Sequence, residues 1–312
     1  MMKLKTVLFA PLVCLMLSNI VVAQTPQPQK LWKDGAPGAG GGEVGDLPNL
    51  TIYQAEGEGP WPAIVVLPGG GYGGLAIDHE GHAIAKWLQD LGVTGAICQY
   101  RHRGKGNQGA GYKHPFPLMD AQRAIRTLRA QAAELNIDPN RIGILGFSAG
   151  GHLASTAATH FDDGNPDASD PIDRVSCRPD FAVLCYAVIG LNKPYTHRGS
   201  QRNLLGEDAP EELVESLSNE SQVTEKTPPT FLFHTSGDTG VPPQNSVHFY
   251  LACHKHKVPV EMHIFEKGRH GLGLAAGRPG AEHWPMLCHE WMISRGILEA
   301  DASQTAAESK SK

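Results

Sequence analysis

The feature that most constrains the fold is an alternation of short apolar runs with stretches of helical periodicity, from residue 63 to residue 295. The runs are apolar at consecutive positions, which is typical of parallel strands that helices cover on both sides. We therefore predict an α/β fold, a single domain with a mostly parallel sheet and helices on both faces. The predicted strands are 63–67, 93–100, 141–147, 181–187, 230–234 and 260–265, and the predicted helices are 79–91, 118–135, 149–159, 245–257 and 284–295.

Composition excludes several classes of function. The chain has 312 residues, of which 41% are hydrophobic and 19% charged, so it can bury one large core and is not expected to be disordered. Its net charge is −5 and no basic block occurs, so the electrostatic footprint of a nucleic-acid-binding protein is missing. Beyond the N-terminal segment, no apolar run is long enough to span a bilayer.

The N-terminal segment has the layout of a secretory signal. Lys3 and Lys5 precede an apolar run at 7–22, and Ala23 stands before Gln24 at the expected cleavage point. We predict that residues 1–23 are a signal peptide and that the mature protein is secreted or periplasmic, without a membrane anchor. The alternative is an anchor that is not cleaved.

The rest of the chain divides by composition. Residues 24–49 are rich in proline and glycine and are predicted to be a linker or an arm on the surface. The main domain is predicted to cover 50–298, and the small, polar residues 299–312 to form a flexible tail.

One segment of the main domain, 190–228, interrupts the alternation of strands and helices. Residues 191–201 are polar and irregular, and 210–217 could form one short helix. An insertion of this kind could be a lid or a pocket wall. A plain surface connection is an equal alternative.

Cysteines give no sign of a metal site or a disulfide scaffold. Five would remain after cleavage, an odd number whose spacing matches neither pattern. A bridge between Cys253 and Cys288 is compatible with the sequence, whereas Cys98 and Cys185 lie in predicted strands and are expected in the core. No metal or cofactor is predicted.

A candidate nucleophile stands at the turn between a strand and a helix. The motif Gly146-Phe147-Ser148-Ala149-Gly150 follows the apolar run Arg-Ile-Gly-Ile-Leu and opens a predicted helix. Small neighbours allow the sharp backbone turn that lifts a serine hydroxyl above the edge of a sheet. We predict that Ser148 is a catalytic nucleophile.

A serine nucleophile needs a histidine to take its proton and an acid to orient that histidine. In architectures of this type the chain order is serine, acid, histidine. Asp238 follows the predicted strand 230–234, and His270 follows the predicted strand 260–265. We predict these two as acid and general base. As alternatives, Asp238 could only cap a turn, with Glu266 or Asp208 as the acid, and His270 could be a solvated loop residue.

A run of glycines follows the first predicted strand. In Pro68-Gly69-Gly70-Gly71-Tyr72-Gly73-Gly74, here called the oxyanion loop, backbone N–H groups could approach an oxyanion closely. We predict that the N–H groups of Gly70, Gly71 and Ala149 form an oxyanion hole. Tyr72 could be a pocket wall or, equally, a packing residue. The run also fits the dinucleotide-binding pattern, but the next helix begins too late and no acid ends the next strand, which argues against that function.

Together these motifs resemble the α/β-hydrolase superfamily, and within it secreted carbohydrate acetyl esterases of the acetylxylan esterase and bifunctional feruloyl esterase branch. The matching residues extend over roughly 45–275 and include Asp120 and Arg123 beside the motifs above. The resemblance implies an α/β-hydrolase fold, Ser148, Asp238 and His270 as catalytic residues, and hydrolysis of O-acetyl esters on xylan or related saccharides.

The residues alone indicate a serine hydrolase that works by acyl transfer and leave its substrate open. Feruloyl or general carboxylesters are an alternative to acetylated saccharides. An oligopeptidase-like function is another, although the chain has no room for the propeller domain that such enzymes usually carry. A non-catalytic hydrolase-fold protein that binds glycans is the remaining alternative.

Overall fold

The predicted strands join one eight-stranded sheet within residues 26–299, the part of the chain that the computed structural model describes. The predicted signal peptide lies outside these residues, as does the predicted tail except for Glu299. In chain order the strands are β1 (Gln29–Lys30), β2 (Asn49–Tyr53), β3 (Trp61–Leu67), β4 (Thr94–Gln99), β5 (Ile137–Phe147), β6 (Phe181–Cys185), β7 (Thr230–Thr235) and β8 (Val260–Phe265).

The spatial order of the strands is β1-β2-β4-β3-β5-β6-β7-β8. Strands β3 to β8 run parallel to one another, whereas β2 is antiparallel to β4 and β1 is antiparallel to β2. The chain leaves β3 for β4 on one side and then returns to place β5 on the other side. Such a reversal opens a crevice at the carboxyl ends of the two central strands, which is where ligands bind in open α/β sheets.

Helices cover both faces of the sheet, as predicted. They are α1 (Ala83–Asp90), α2 (Phe116–Ala130), α3 (Ser148–Thr159), α4 (Arg198–Leu205), α5 (Glu211–Ser216), α6 (Gln244–Lys255) and α7 (Trp284–Ser294). Helices α2, α3 and α6 pack in the core of one face, and α1 and α7 in the core of the other. In α2 four apolar residues at helical spacing, Ala121, Ala124, Ile125 and Leu128, are fully buried. No helix within residues 26–299 has the length and apolarity needed to cross a bilayer.

Several element boundaries differ from the prediction. The antiparallel strands β1 and β2 were not predicted, and β5 begins at Ile137 rather than at 141. Strand β6 ends at Cys185 rather than at 187 because Tyr186 takes a left-handed backbone conformation (φ 37°) that leaves the extended path.

Within the insertion, the short helix predicted at 210–217 is α5. The description of 191–201 as irregular is wrong at its end, because α4 begins at Arg198. That helix buries only Ser200 and Leu204, so its apolar periodicity is too weak to read from the sequence.

A bridge between Cys253 and Cys288 is excluded by the sheet itself. Cys253 lies in the core on the face of α2 and α3, and Cys288 lies in the core on the opposite face. All five cysteines of the described residues are free and buried. Cys98 and Cys185 are core residues, as expected.

Residues of the predicted linker or arm lie against the domain. Leu31 and Asp46 are both buried, and the Arg123 guanidinium donates to the carbonyl oxygen of Leu31 at 3.0 Å. Asp46 accepts a hydrogen bond from the N–H of Asn107 at 2.7 Å. The segment therefore contributes to the packing beside β4 and α2.

Candidate active site

Ser148 lies directly after β5, at the first residue of α3. Its backbone is left-handed, with φ 54°, so the chain turns sharply between strand and helix. A Cβ on Gly146 would lie only 2.1 Å from the carbonyl oxygen of Gly150, so the turn requires glycine there. The structure therefore places Ser148 at the predicted strand-to-helix turn.

Three predicted residues from three strand ends meet at this turn. His270 Nε2 lies 2.7 Å from Ser148 Oγ, and His270 Nδ1 lies 2.6 Å from Asp238 Oδ2. The side chain of Asp238 is fully buried, whereas that of His270 is 30% exposed. The structure thus brings Ser148, His270 and Asp238 into one hydrogen-bonded chain, and Glu266 and Asp208 are exposed outside it.

Asp238 is held as a carboxylate. Its Oδ1 accepts hydrogen bonds from the backbone N–H groups of Gly240 and Val241, each at 2.9 Å. Burial raises the pKa of Asp238, but contacts with the His234 and His270 side chains and the Val241 N–H outweigh burial and hold the pKa well below its usual range. The ionised Asp238 keeps the proton of a neutral His270 on Nδ1. His270 Nε2 is then free to accept the proton of Ser148.

The oxyanion loop lies beside the serine. A Cβ on Gly69 would lie 3.0 Å from Ser148 Cβ, and Gly70 takes a φ of 135° that other residues rarely adopt. Tyr100, which directly follows β4, supports the loop because its hydroxyl donates to the Pro68 carbonyl oxygen at 2.7 Å. Within residues 26–299, the N–H groups of Gly70, Gly71 and Ala149 make no hydrogen bond, so they remain free to meet an oxyanion.

Tyr72 and His152 connect the loop to α3. The hydroxyl of Tyr72 lies 2.8 Å from His152 Nδ1, and His152 Nε2 lies 2.9 Å from the Leu217 carbonyl oxygen. A carbonyl can only accept, so Nε2 donates to it and Nδ1 accepts from Tyr72. Burial lowers the pKa of His152 to about 4, which keeps the ring neutral at neutral pH. Tyr72 is 1% exposed, which favours the packing alternative over an open pocket wall.

Glu80 is a positioning residue that sequence reasoning missed. Its buried carboxylate accepts the Gly69 N–H at 2.8 Å through Oε2 and the Tyr186 hydroxyl at 2.8 Å through Oε1. Tyr186 in turn accepts the Gly273 N–H at 2.8 Å, and its ring packs edge-on against His270 with centroids 5.1 Å apart. One carboxylate therefore links the oxyanion loop to the loop that carries His270.

We expect Glu80→Gln to lower the turnover number on an acetyl ester about tenfold, with little change in KM. The amide can still accept from Gly69, but its NH₂ then faces Tyr186, whose hydroxyl proton loses its acceptor. A displaced oxyanion donor is expected to lower kcat by less than the factor of about 10²–10³ that complete removal of one donor causes. Steady-state kinetics measure the effect, with exposed Glu56→Gln as the matched control. A turnover number equal to that of the wild type in folded Glu80→Gln would show that this link does not contribute to catalysis.

Two further features are the side chains that could bind a metal and the insertion 190–228. Among the described residues, no group of three or more histidine, cysteine, aspartate or glutamate side chains could hold a metal ion. The insertion reaches the site, because Asn203 of α4 donates to the Gly71 carbonyl oxygen at 2.8 Å. In the sequence, this contact was indicated only by the interruption of the alternation over 190–228, which includes Asn203.

Known proteins resemble this chain in both sequence and structure. Residues 50–252 match the model of the BD-FAE family. An acetyl ester-xyloside bifunctional hydrolase from Caldicellulosiruptor lactoaceticus has a similar structure, with a TM-score of 0.82 and 45% sequence identity over 89% of this chain and 99% of that one.

Two curated relatives are longer proteins. Endo-1,4-beta-xylanase B of Butyrivibrio fibrisolvens is 36% identical over 74% of this chain and 35% of its own length. The acetylxylan esterase of Xylanibacter ruminicola is 32% identical over 78% of this chain and 48% of its own length. The chain thus spans a third to a half of these relatives. The family match, the sheet order and the shared fold agree with the predicted resemblance, and the chain therefore belongs to the BD-FAE family of α/β-hydrolases.

Proposed function

We propose that this protein is a serine esterase that removes O-acetyl groups from carbohydrates such as acetylated xylan, through an acyl-enzyme intermediate. The observation that carries the proposal is the hydrogen-bonded chain from Ser148 Oγ through His270 to Asp238, with distances of 2.7 and 2.6 Å. The substrate class is supported by relatives named acetylxylan esterase and acetyl ester-xyloside bifunctional hydrolase. The predicted signal peptide supports action outside the cytoplasm.

In the first half of the reaction, Ser148 Oγ attacks the ester carbonyl carbon while His270 Nε2 takes the serine proton. The negative oxygen of the tetrahedral intermediate is met by the N–H groups of Gly70, Gly71 and Ala149. The bond from the carbonyl carbon to the sugar oxygen then breaks, and His270 gives its proton to that oxygen. The deacetylated sugar leaves, and the acetyl group stays on Ser148.

In the second half, a water molecule replaces the sugar. His270 takes a proton from the water as its oxygen attacks the acetyl carbon, and the same N–H groups meet the new oxyanion. The bond to Ser148 Oγ breaks, the serine regains a proton from His270, and acetate leaves. The Asp238 carboxylate stabilises the imidazolium in both halves and stays ionised throughout.

A panel of esters tests the substrate class. We expect the wild-type protein to release acetate from acetylated xylo-oligosaccharides with a kcat/KM at least about tenfold higher than for ferulate release from feruloylated oligosaccharides, because a site for a two-carbon acyl group excludes a large aromatic one. Chromatography of the released acids measures both, with a peptide anilide as a third substrate. Faster release of ferulate or cleavage of the peptide would contradict the proposal.

A further inference from the structure

A histidine of the insertion lies at the rim of the site, although no motif marks it. His197 is half-buried and immediately precedes α4. Its Cε1 lies 3.9 Å from the position that a Cβ on Gly71 would take. His197 therefore adjoins the oxyanion loop at Gly71.

Contacts of the ring fix which nitrogen carries the hydrogen. The backbone N–H of Ser200 donates to His197 Nδ1 at 3.2 Å, and Ser200 Oγ lies 2.8 Å from the same nitrogen. Because a backbone N–H can only donate, Nδ1 is an acceptor, and the hydrogen of the neutral ring is on Nε2. Burial lowers the pKa of His197, and the charge of His270 adds to this effect while that of Asp238 opposes it, so the neutral ring predominates at pH 7.

The Nε2–H group is available to a ligand. It makes no hydrogen bond to any residue of 26–299, while Nδ1 is held at the start of α4. Because the ring is half-buried, water can satisfy this donor in the free protein, and a substrate oxygen can replace that water. The donor is thus oriented by the fold before a substrate arrives.

The position of His197 indicates which part of an ester it meets. The leaving alcohol oxygen must lie beside His270 Nε2, which protonates it, and the carbonyl oxygen must lie at the oxyanion loop. The alcohol of a saccharide ester must extend towards solvent, so we place it beside His197, which adjoins Gly71 and is partly exposed. In a carbohydrate ester, this side carries hydroxyl and ring oxygens close to the acetylated carbon.

We propose that His197 Nε2–H donates a hydrogen bond to an oxygen of the sugar that carries the acetyl group, so that residues 197–203 form a subsite for the carbohydrate. This inference rests on the proposed function. Asn203, which donates to the Gly71 carbonyl oxygen, fixes the same segment to the oxyanion loop. In this proposal the insertion acts as a pocket wall rather than as a plain surface connection.

The test compares two esters that share an acetyl group and differ in the alcohol. We expect His197→Ala to lower kcat/KM about tenfold on acetylated xylo-oligosaccharide, the loss typical of one hydrogen bond. The loss on 4-nitrophenyl acetate, whose aryl group offers no hydroxyl at that place, is expected to be at least five times smaller. His197→Gln keeps an N–H donor and is expected to lose less than His197→Ala. Exposed His254→Ala is the matched control and is expected to match the wild type on both esters.

A second readout does not depend on turnover. In a Ser148→Ala background, calorimetry is expected to show that His197→Ala weakens the binding of xylotriose several-fold, whereas His254→Ala does not. Equal losses on both esters with unchanged xylotriose binding would show that His197 only supports the loop and would overturn the subsite. No loss on either ester would also overturn it. Wild-type protein that cleaves 4-nitrophenyl acetate but no acetylated saccharide would overturn the proposed substrate, and this subsite with it.

Discussion

Replacement of Ser148 with alanine is expected to lower kcat on acetylated xylo-oligosaccharides by about 10⁴–10⁶, because no other group can form the covalent acyl-enzyme. The side chain lies 2.7 Å from His270 Nε2 and makes the first bond to the substrate in the proposed mechanism. Residual turnover would come from substrate binding and the oxyanion hole alone. KM is expected to change little, since the N–H groups of Gly70, Gly71 and Ala149 belong to the backbone. Acetate release over hours measures the loss.

Covalent labelling separates a chemical defect from a folding defect. A fluorophosphonate probe is expected to label the wild type and the exposed-serine control Ser169→Ala, and to leave folded Ser148→Ala unlabelled. Labelling or substantial turnover in Ser148→Ala would place the nucleophile elsewhere. Absence of labelling in the wild type would favour the non-catalytic glycan-binding alternative.

The parallel sheet and its site residues could be predicted because the relevant signals are local. Six strands are apolar runs bounded by turns, and Ser148, Asp238 and His270 each follow one of them. Since the carboxyl ends of parallel strands meet at one edge, sequential order was enough to predict that the three side chains converge. The glycines of the oxyanion loop could also be recognised from the sequence, because a sharp backbone turn restricts which residues fit.

Long-range contacts could not be predicted in this way. Glu80 resembles an ordinary charged residue near the start of a helix, yet its two partners lie 11 residues before it and 106 residues after it. His197 precedes a helix with only two buried positions, and it caps that helix through a ring nitrogen rather than through a typical N-cap side chain. Strand β2 lies second from the edge of the sheet, and only Leu50 and Thr51 of its five residues are buried, so it shows no continuous apolar run. In all three cases the structural role depends on tertiary contacts, which a local sequence pattern does not contain.

Asp238→Asn is expected to lower kcat by about 10³–10⁴ at neutral pH, because the amide would fix His270 in the wrong tautomer. The N–H groups of Gly240 and Val241 both donate to Oδ1 at 2.9 Å and need an acceptor there, so the amide oxygen must take that position. The NH₂ group then replaces Oδ2, 2.6 Å from His270 Nδ1, and donates to that nitrogen. The proton of the neutral ring moves to Nε2, which can no longer accept the proton of Ser148.

Kinetics on 4-nitrophenyl acetate and acetylated xylo-oligosaccharide are expected to show the same loss in Asp238→Asn, with KM nearly unchanged, because the side chain is buried behind His270 and touches neither substrate. The two acids that the sequence left as alternatives provide the controls. Glu266→Gln and Asp208→Asn remove exposed carboxylates outside the hydrogen-bonded chain and are expected to stay within about twofold of the wild type, as is usual for surface substitutions. If Asp238→Asn kept a tenth or more of the wild-type kcat while either control lost more, the orienting acid would be that other carboxylate, and the geometry of His270 would have to change before catalysis.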